Sequence, residues 1–266
     1  MNEIVVLLIL VLVGFFNGIM AGMFGIGGGL VFVPTLVLSL PFFGVQNSSL
    51  YHSAIATSLM AGSFASVSSF INHNRKKNVE ITYSLLLSAG SIVTALLLPR
   101  FVISVNPATL KIIMGVIMTV VALRMIFERD GIEGAFKLNK YFAVLIGLVT
   151  GALSVFTGLG GGVLYVPVLA YLFSFDFKKA IGTSSLAVLF TMVSSSLSFA
   201  LFTKGEPTGV YQIGFVNYLC GIALGVGAVF GAKFGVKLVF KSSNKTLKRI
   251  FAAFLMIVIL KVILFN

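Results

Sequence analysis

The chain has 266 residues, 58% of them hydrophobic and only 10% charged, with a mean hydropathy of +1.10 and a formal charge of +12. A soluble domain carries about 25% charged residues, and a water-soluble fold this apolar would expose large apolar patches, whereas in a bilayer lipid-facing and core-facing positions can both be apolar. The excess of positive charge would suggest nucleic acid in a soluble protein. Here the basic residues sit in short loops between apolar runs, where they set topology, so no nucleic-acid partner is expected.

The chain opens with Glu3 and turns apolar at Ile4. A secretory signal needs a positive start and a short apolar core, so this segment reads as a retained membrane helix. The apolar run from Ile4 to Phe43 exceeds the ~20 residues of one crossing and is interrupted at Gly25. It is read as helices over 4–24 and 28–42. Further helices are expected over 50–71, 80–103 and 108–127, followed by a mixed-charge linker from Glu128 to Lys140. The remaining helices fall over 141–157, 161–174, 179–202, 209–238 and 247–265. The segments 28–42 and 161–174 would be only ~20–22 Å long. Ten full crossings and about eight crossings plus re-entrant hairpins therefore both stay open. Cys220 is the only cysteine, so no intrachain disulfide can form.

Arg75, Lys76 and Lys77 form an undiluted positive cluster, which places that loop in the cytoplasm. Counting crossings from it puts Arg129, Lys137 and Lys140, then Lys178 and Lys179, then Lys241, Lys245, Lys248 and Arg249 on the same side. The alternate loops carry little positive charge: 43–50 has none, and 203–208 has Lys204 with Glu206. The expected protein is multi-pass, with both termini outside.

The sequence repeats itself. Gly14, Gly18 and Gly25-Ile26-Gly27-Gly28-Gly29 recur 133 residues later as Gly147, Gly151 and Gly158-Leu159-Gly160-Gly161-Gly162, and Pro34 recurs as Pro167. At an offset of 126, Ala54-Ile55-Ala56-Thr57-Ser58 matches Ala180-Ile181-Gly182-Thr183-Ser184. Each unit holds five hydrophobic elements, or three crossings and a hairpin. Either count is odd, so the second unit enters from the opposite face, an inverted-topology repeat of the kind secondary transporters use. The expected fold is therefore an all-α polytopic membrane protein: a first repeat over 1–127, a cytoplasmic linker over 128–140 and a second, inverted repeat over 141–266.

Four glycines in five residues disfavour a continuous helix by ~1 kcal/mol each relative to alanine. Each break frees backbone N–H groups at the start of the next helix, where partial positive charge makes an anion site. Close helix packing is the other use of such small residues, but two clusters at matching positions of an inverted repeat point to a substrate site. The expected substrate-binding residues are Gly25, Gly27, Gly28, Gly29, Thr57 and Ser58, with Gly158, Gly160, Gly161, Gly162, Thr183 and Ser184. Hydroxyls there can donate to an anion or bond back to their own helix. The serine runs at Ser66, Ser68 and Ser69 and at Ser194, Ser195, Ser196 and Ser198 read as helix-packing residues.

Glu80, Arg124 and Lys261 lie near segment ends, and no Asp, Glu or His falls at mid-membrane, which weighs against a cation pathway or a carboxylate proton relay. His52 takes the position matching Lys178 and could attract anions, though an interfacial place explains it better. His73 reads as a solvated loop residue. No nucleophile elbow, metal-ligand spacing or phosphate-binding loop with its lysine occurs, so no enzyme, metal or cofactor is expected.

Gly-x-Gly-Gly-Gly followed by Pro34 and then Ala-Ile-Ala-Thr-Ser, with both elements repeated in the second half, resembles the TauE/SafE sulfite exporter family across essentially the whole chain. The resemblance implies an inner-membrane transporter of small sulfur oxyanions such as sulfite or organosulfonates, with export as its direction, and the inverted repeat adds the expectation of alternating access around a central site. A non-transporting scaffold, or an assembly partner of a sulfur-metabolism enzyme, is the alternative. The second half of the 80–103 segment departs from symmetry, lacking the glycines at Gly225, Gly227 and Gly231 of its counterpart. Substrate identity, coupling ion and oligomeric state are not written in the sequence.

Overall fold

The computed structural model describes residues 3–106, 139–203 and 209–253, with isolated helical positions at 109, 112, 116 and 119. Helix α1 spans Glu3–Phe24. Helix α2 spans Gly29–Ser39 and runs into a 3-10 helix at Leu40–Phe43. Then come α3 over Asn47–Arg75 and α4 over Ile81–Leu97, with a single turn at Pro99–Val102. The second half contains α5 over Phe142–Thr157, α6 over Gly162–Tyr171, α7 over Phe177–Leu201 and α8 over Tyr218–Lys241. The expected helix over 108–127 and the linker over 128–140 fall almost wholly outside the described residues. So does the end of the expected 247–265 helix, whose described part is helical from 244 to 253.

Helices α1, α3, α7 and α8 are long and apolar enough to cross a membrane. The 22 residues of α1 reach about 33 Å, against a hydrocarbon core of about 30 Å. Helices α2 and α6 have only 11 and 10 residues, about half that thickness. Each is bounded at its start by a left-handed glycine, Gly28 at φ 94° and Gly161 at φ 79°. Each also carries an internal proline, Pro34 or Pro167, which gives up one helical hydrogen bond.

Four boundaries differ from expectation. The 209–238 helix begins only at Tyr218, because Gln212–Ile213 pairs antiparallel with Val216–Asn217. Gly214 supplies the positive φ of 55° that a two-residue hairpin loop needs at its first position. The Asn217 side chain then caps α8 by accepting from the Cys220 N–H at 3.0 Å. The 161–174 helix stops at Tyr171, with the chain turning at Ser174 (φ 57°). Helix α4 ends at Leu97, before Pro99. Helix α3 extends beyond 50–71 by about a turn at its C-terminal end, which carries His73 out of the loop.

The long helices form two parallel sets. Gly14, Gly18 and Gly22 of α1 lie against Leu224, Ala228 and Ala232 of α8, so a Cβ at any of the three would collide with the α8 backbone. Gly227 and Gly231 return the fit onto Val11 and Phe15. Small residues let these backbones touch where lipid supplies no hydrophobic drive. The Ser68 hydroxyl of α3 donates to Val229 O of α8 at 2.7 Å, and α1, α3 and α8 all run the same way. In the second set, Gly147 and Gly151 of α5 pack on Leu87 and Ser91 of α4. Ser84 and Ser198 join α4 to α7 through Thr183 O and Leu96 O, both at 2.8 Å. Helix α4 thus makes its seam with Gly90, against Val144 O, and with the buried Ser84, Ser88 and Ser91 where α8 uses glycines.

The two sets run in opposite senses. At one end of the α3–α7 pair, the Asn78 amide donates to Lys178 O at 2.6 Å. At the other, Gln212 Nε2 reaches Ser53 Oγ at 3.1 Å, while Phe215 N–H donates to Phe199 O at 3.3 Å. Outward faces are apolar: Ile4, Leu8, Leu12 and Phe16 form a stripe along α1, each 61–67% exposed. Such a stripe would be a sticky patch in water and needs no compensation in hydrocarbon.

Candidate functional site

The α1–α2 and α5–α6 breaks meet. A Cβ at Gly29 would run into Gly158 O, and one at Gly162 would run into Gly25 O. The N-terminus of each half-helix therefore abuts the C-terminal carbonyl of the helix before the other break. Gly25 ends α1 with its N–H bonded to Ala21 O at 2.8 Å, and Gly158 ends α5 with its N–H bonded to Ser154 O at 2.8 Å. Beyond these, among the described residues, the amides of Gly27, Gly28, Gly29, Gly160, Gly161 and Gly162 have no acceptor. Unpaired helix-start amides carry partial positive charge.

One carbonyl at each break meets a hydroxyl from the opposite unit. Ser184 Oγ lies 3.3 Å from Gly25 O and 2.8 Å from Ile181 O of its own helix. Ser58 Oγ lies 3.2 Å from Gly158 O and 2.7 Å from Ile55 O. A hydroxyl has one proton, so each serine shares it between its own α-helix and the opposite break. Among the described residues, Gly25 O and Gly158 O are thus contacted by a hydroxyl, while Gly27 O and Gly160 O have no donor and the six amides above have no acceptor.

Thr57 and Thr183, expected beside these serines as pathway lining, point elsewhere. Thr57 Oγ1 accepts from the Asn217 N–H at 2.9 Å, at the start of α8. Thr183 Oγ1 accepts from the Glu80 N–H at 3.0 Å, at the start of α4. Each threonine satisfies an orphan helix-start amide and fixes the pose of the adjacent serine. The structure therefore brings together the eight glycines with Ser58 and Ser184, and places both threonines one step behind them.

Three further residues reach the junction without a sequence signal that marks them. Asn17 is buried within α1; its Nδ2 donates to Gly28 O at 2.5 Å, and its Oδ1 has no partner. Ser154 Oγ is likewise buried and unpartnered, and with Thr157 and Gly161 it lines a small cavity of about 10 Å³. Met192 of α7 is fully buried, and its thioether occupies the space that a Cβ at Gly27, Gly62 or Gly160 would need. A lone Asn or Met in an apolar run looks like ordinary span composition. Only the juxtaposition of the breaks gives them a place.

The histidines stand outside this junction. His73, expected in a solvated loop, is buried in the last turn of α3. Its Nε2 lies 3.2 Å from Gly22 O and its Nδ1 lies 3.2 Å from the Asn78 amide nitrogen. Those partners select the tautomer that donates from Nε2 and accepts at Nδ1. His52 is also buried, 3.3 Å from Val105 O and edge-on to Phe215. Glu80 pairs with Lys179 at 2.5 Å on the half-exposed rim. Among the described residues no three His, Cys, Asp or Glu side chains cluster closely enough to hold a metal ion.

Comparison with known proteins bears on the whole chain. The family profile described as "Sulfite exporter TauE/SafE" matches residues 10–262. A probable membrane transporter protein of Methanocaldococcus jannaschii is 28% identical over 249 residues, covering 90% of this chain and 89% of its own. One from Haemophilus influenzae is 28% identical over 261 residues, covering 97% and 98%. A Bacillus subtilis relative, the probable membrane transporter protein YunE, is 26% identical over 273 residues, covering 94% of each. No solved structure matches. These names point to membrane transport and not to an enzyme.

Proposed function

The chain belongs to the sulfite exporter TauE/SafE family, and from that premise we propose that it is a secondary transporter of a small sulfur oxyanion, sulfite or an organosulfonate, bound where the two glycine breaks meet. The observation that carries this reading is the meeting of two half-helix N-termini with unpaired amides at one junction. Six glycine amides are free, while Ser184 and Ser58 engage the carbonyls of Gly25 and Gly158. Backbone donors at half-helix N-termini bind anions in other inverted-repeat transporters, and they accept an oxyanion without a buried cation.

The transport cycle follows from the architecture. Residues 1–127 and 141–266 form the two inverted units, joined by the cytoplasmic linker 128–140. Support comes from the helix directions: matched helices α1 and α5, α3 and α7, and α4 and α8 run in opposite senses. Each unit contributes one half-helix, and rocking of one unit on the other opens the junction alternately to either side. Thr57 and Thr183 hold the serines in register, and Asn17 orients the Gly28 carbonyl away from the anion.

Flux into proteoliposomes tests this directly, with sulfite, sulfate and a small sulfonate as cargo. Uptake of sulfite or the sulfonate is expected from the parent protein. It should be lost in Gly28→Leu and Gly161→Leu, where a side chain is forced onto positive φ beside the free amides. If no anion moves, and those substitutions change only expression level, a non-transporting scaffold is the better description.

A further inference from the structure

Ser66 and Met192 occupy matching positions of the two sequence units, since 192 − 66 equals the 126-residue offset that relates Ala54 to Ala180. They also meet: the Ser66 hydroxyl donates to Met192 Sδ at 3.8 Å, across 126 residues of chain. Two residues related by the repeat can touch only near its axis, midway between the units. At that point the repeat is unlike itself. One unit supplies a small hydroxyl, and the other a long, unbranched thioether. The position matching Val188 is Gly62, and the missing side chain there is what lets the Met192 thioether lie across the axis.

The thioether fills the space directly against both breaks. A Cβ at Gly27 or Gly160 would strike Met192 Cε, and Met192 itself has no exposed surface. Thus the volume adjoining the free amides is already taken by a side chain. Methionine suits such a place because three rotatable bonds and a polarisable sulfur let it vacate and refill a gap at low cost. A β-branched residue, stiff at χ1, has fewer ways to do the same.

Resting on the anion-transport reading above, we propose that Met192 is the plug and size filter of this site. Its thioether occludes the junction when no anion is bound. It swings aside to admit one and leaves the Ser66 hydroxyl free to donate to the anion. The space it vacates sets the largest cargo that fits.

The test uses the full chain in proteoliposomes, comparing uptake of sulfite with uptake of benzenesulfonate. The parent protein is expected to favour sulfite strongly. Met192→Ala should narrow that preference by ~10-fold or more, the scale on which a missing side-chain volume changes discrimination, while Met192→Leu, of similar volume, should retain it. A preference unchanged in Met192→Ala overturns the size filter. Absence of any anion uptake by the parent protein overturns the transport reading itself.

A second measurement does not depend on flux in the alanine variant. In a Cys220→Ser background, Met192→Cys should react with a small anionic methanethiosulfonate. Methanesulfonate, used because sulfite consumes the reagent, should slow that reaction several-fold. A thiol at position 192 that never reacts in the folded protein, or reacts at the same rate with and without methanesulfonate, overturns the plug.

Discussion

Ser184 and Gly25, 159 residues apart in sequence, are joined by the serine hydroxyl reaching the glycine carbonyl at 3.3 Å. Ser58 and Gly158 repeat the contact from the other side at 3.2 Å. Replacing either serine by alanine leaves a buried carbonyl at the break without its cross-bundle donor, a loss of about 1–3 kcal/mol for an unsatisfied buried group. Ser58→Ala and Ser184→Ala should therefore each lower the unfolding temperature in detergent and reduce anion uptake. Ser63→Ala makes the comparison sharp, because Ser63 bonds only back to Met60 O of its own helix. Its stability should stay within about 0.5 kcal/mol of the parent. Equal behaviour of all three variants would remove the serines from the site.

Much of this arrangement is legible in the sequence. The apolar run with its interruption at Gly25 places α1 and α2 to within a few residues, because four glycines in five residues strongly disfavour continuing the helix. Tandem matching likewise pairs the two breaks. Hydropathy fails where a local cap overrides it. The stretch before Tyr218 is apolar enough to pass as helix, yet Gly214 and Asn217 turn it into a hairpin and a helix start. Symmetry singles out Thr57 and Thr183 but does not reveal that their hydroxyls face the starts of α8 and α4, since sequence does not show which way a hydroxyl points. Asn17 and Met192 escape notice for a related reason. Their importance comes from meeting residues elsewhere in the chain, and no one-dimensional pattern carries that.

Glycine substitutions separate close approach from backbone conformation. Gly29 and Gly162 begin their helices with ordinary helical backbone, yet a Cβ on either would overlap the carbonyl of the opposite break. Gly44 is the reverse case, left-handed at φ 76° but with nothing nearer than 3.8 Å. Gly44→Ala should cost only the ~1–2 kcal/mol of a left-handed non-glycine residue and keep its transport. Gly29→Ala and Gly162→Ala should lose transport and unfold at lower temperature, since neither carbonyl can retreat without parting the two units. Uptake assays and thermal unfolding on the three variants decide it; Gly29→Ala with parental uptake would mean that the breaks need not touch.

The orientation of the whole bundle rests on charge and can be tested without reference to cargo. Helices α1, α3 and α8 run one way and α4, α5 and α7 the other, and the ends of that arrangement differ in composition. The end that gathers Arg75, Lys76, Lys77, Lys178, Lys179 and Lys241 is basic, whereas the end with the 3-10 helix at Leu40–Phe43 and the hairpin at Gln212–Asn217 carries few charges. Basic loops stay on the cytoplasmic side, so Lys76 should face inward and Gln46 outward. In a Cys220→Ser background, a membrane-impermeant maleimide added to intact cells should label Gln46→Cys and spare Lys76→Cys until the membrane is opened. Native Cys220 is buried, which makes its removal a precaution against background and not a change to the reporter sites. Labelling of the Lys76→Cys variant from outside would invert the bundle, and with it the side from which each half-helix is reached.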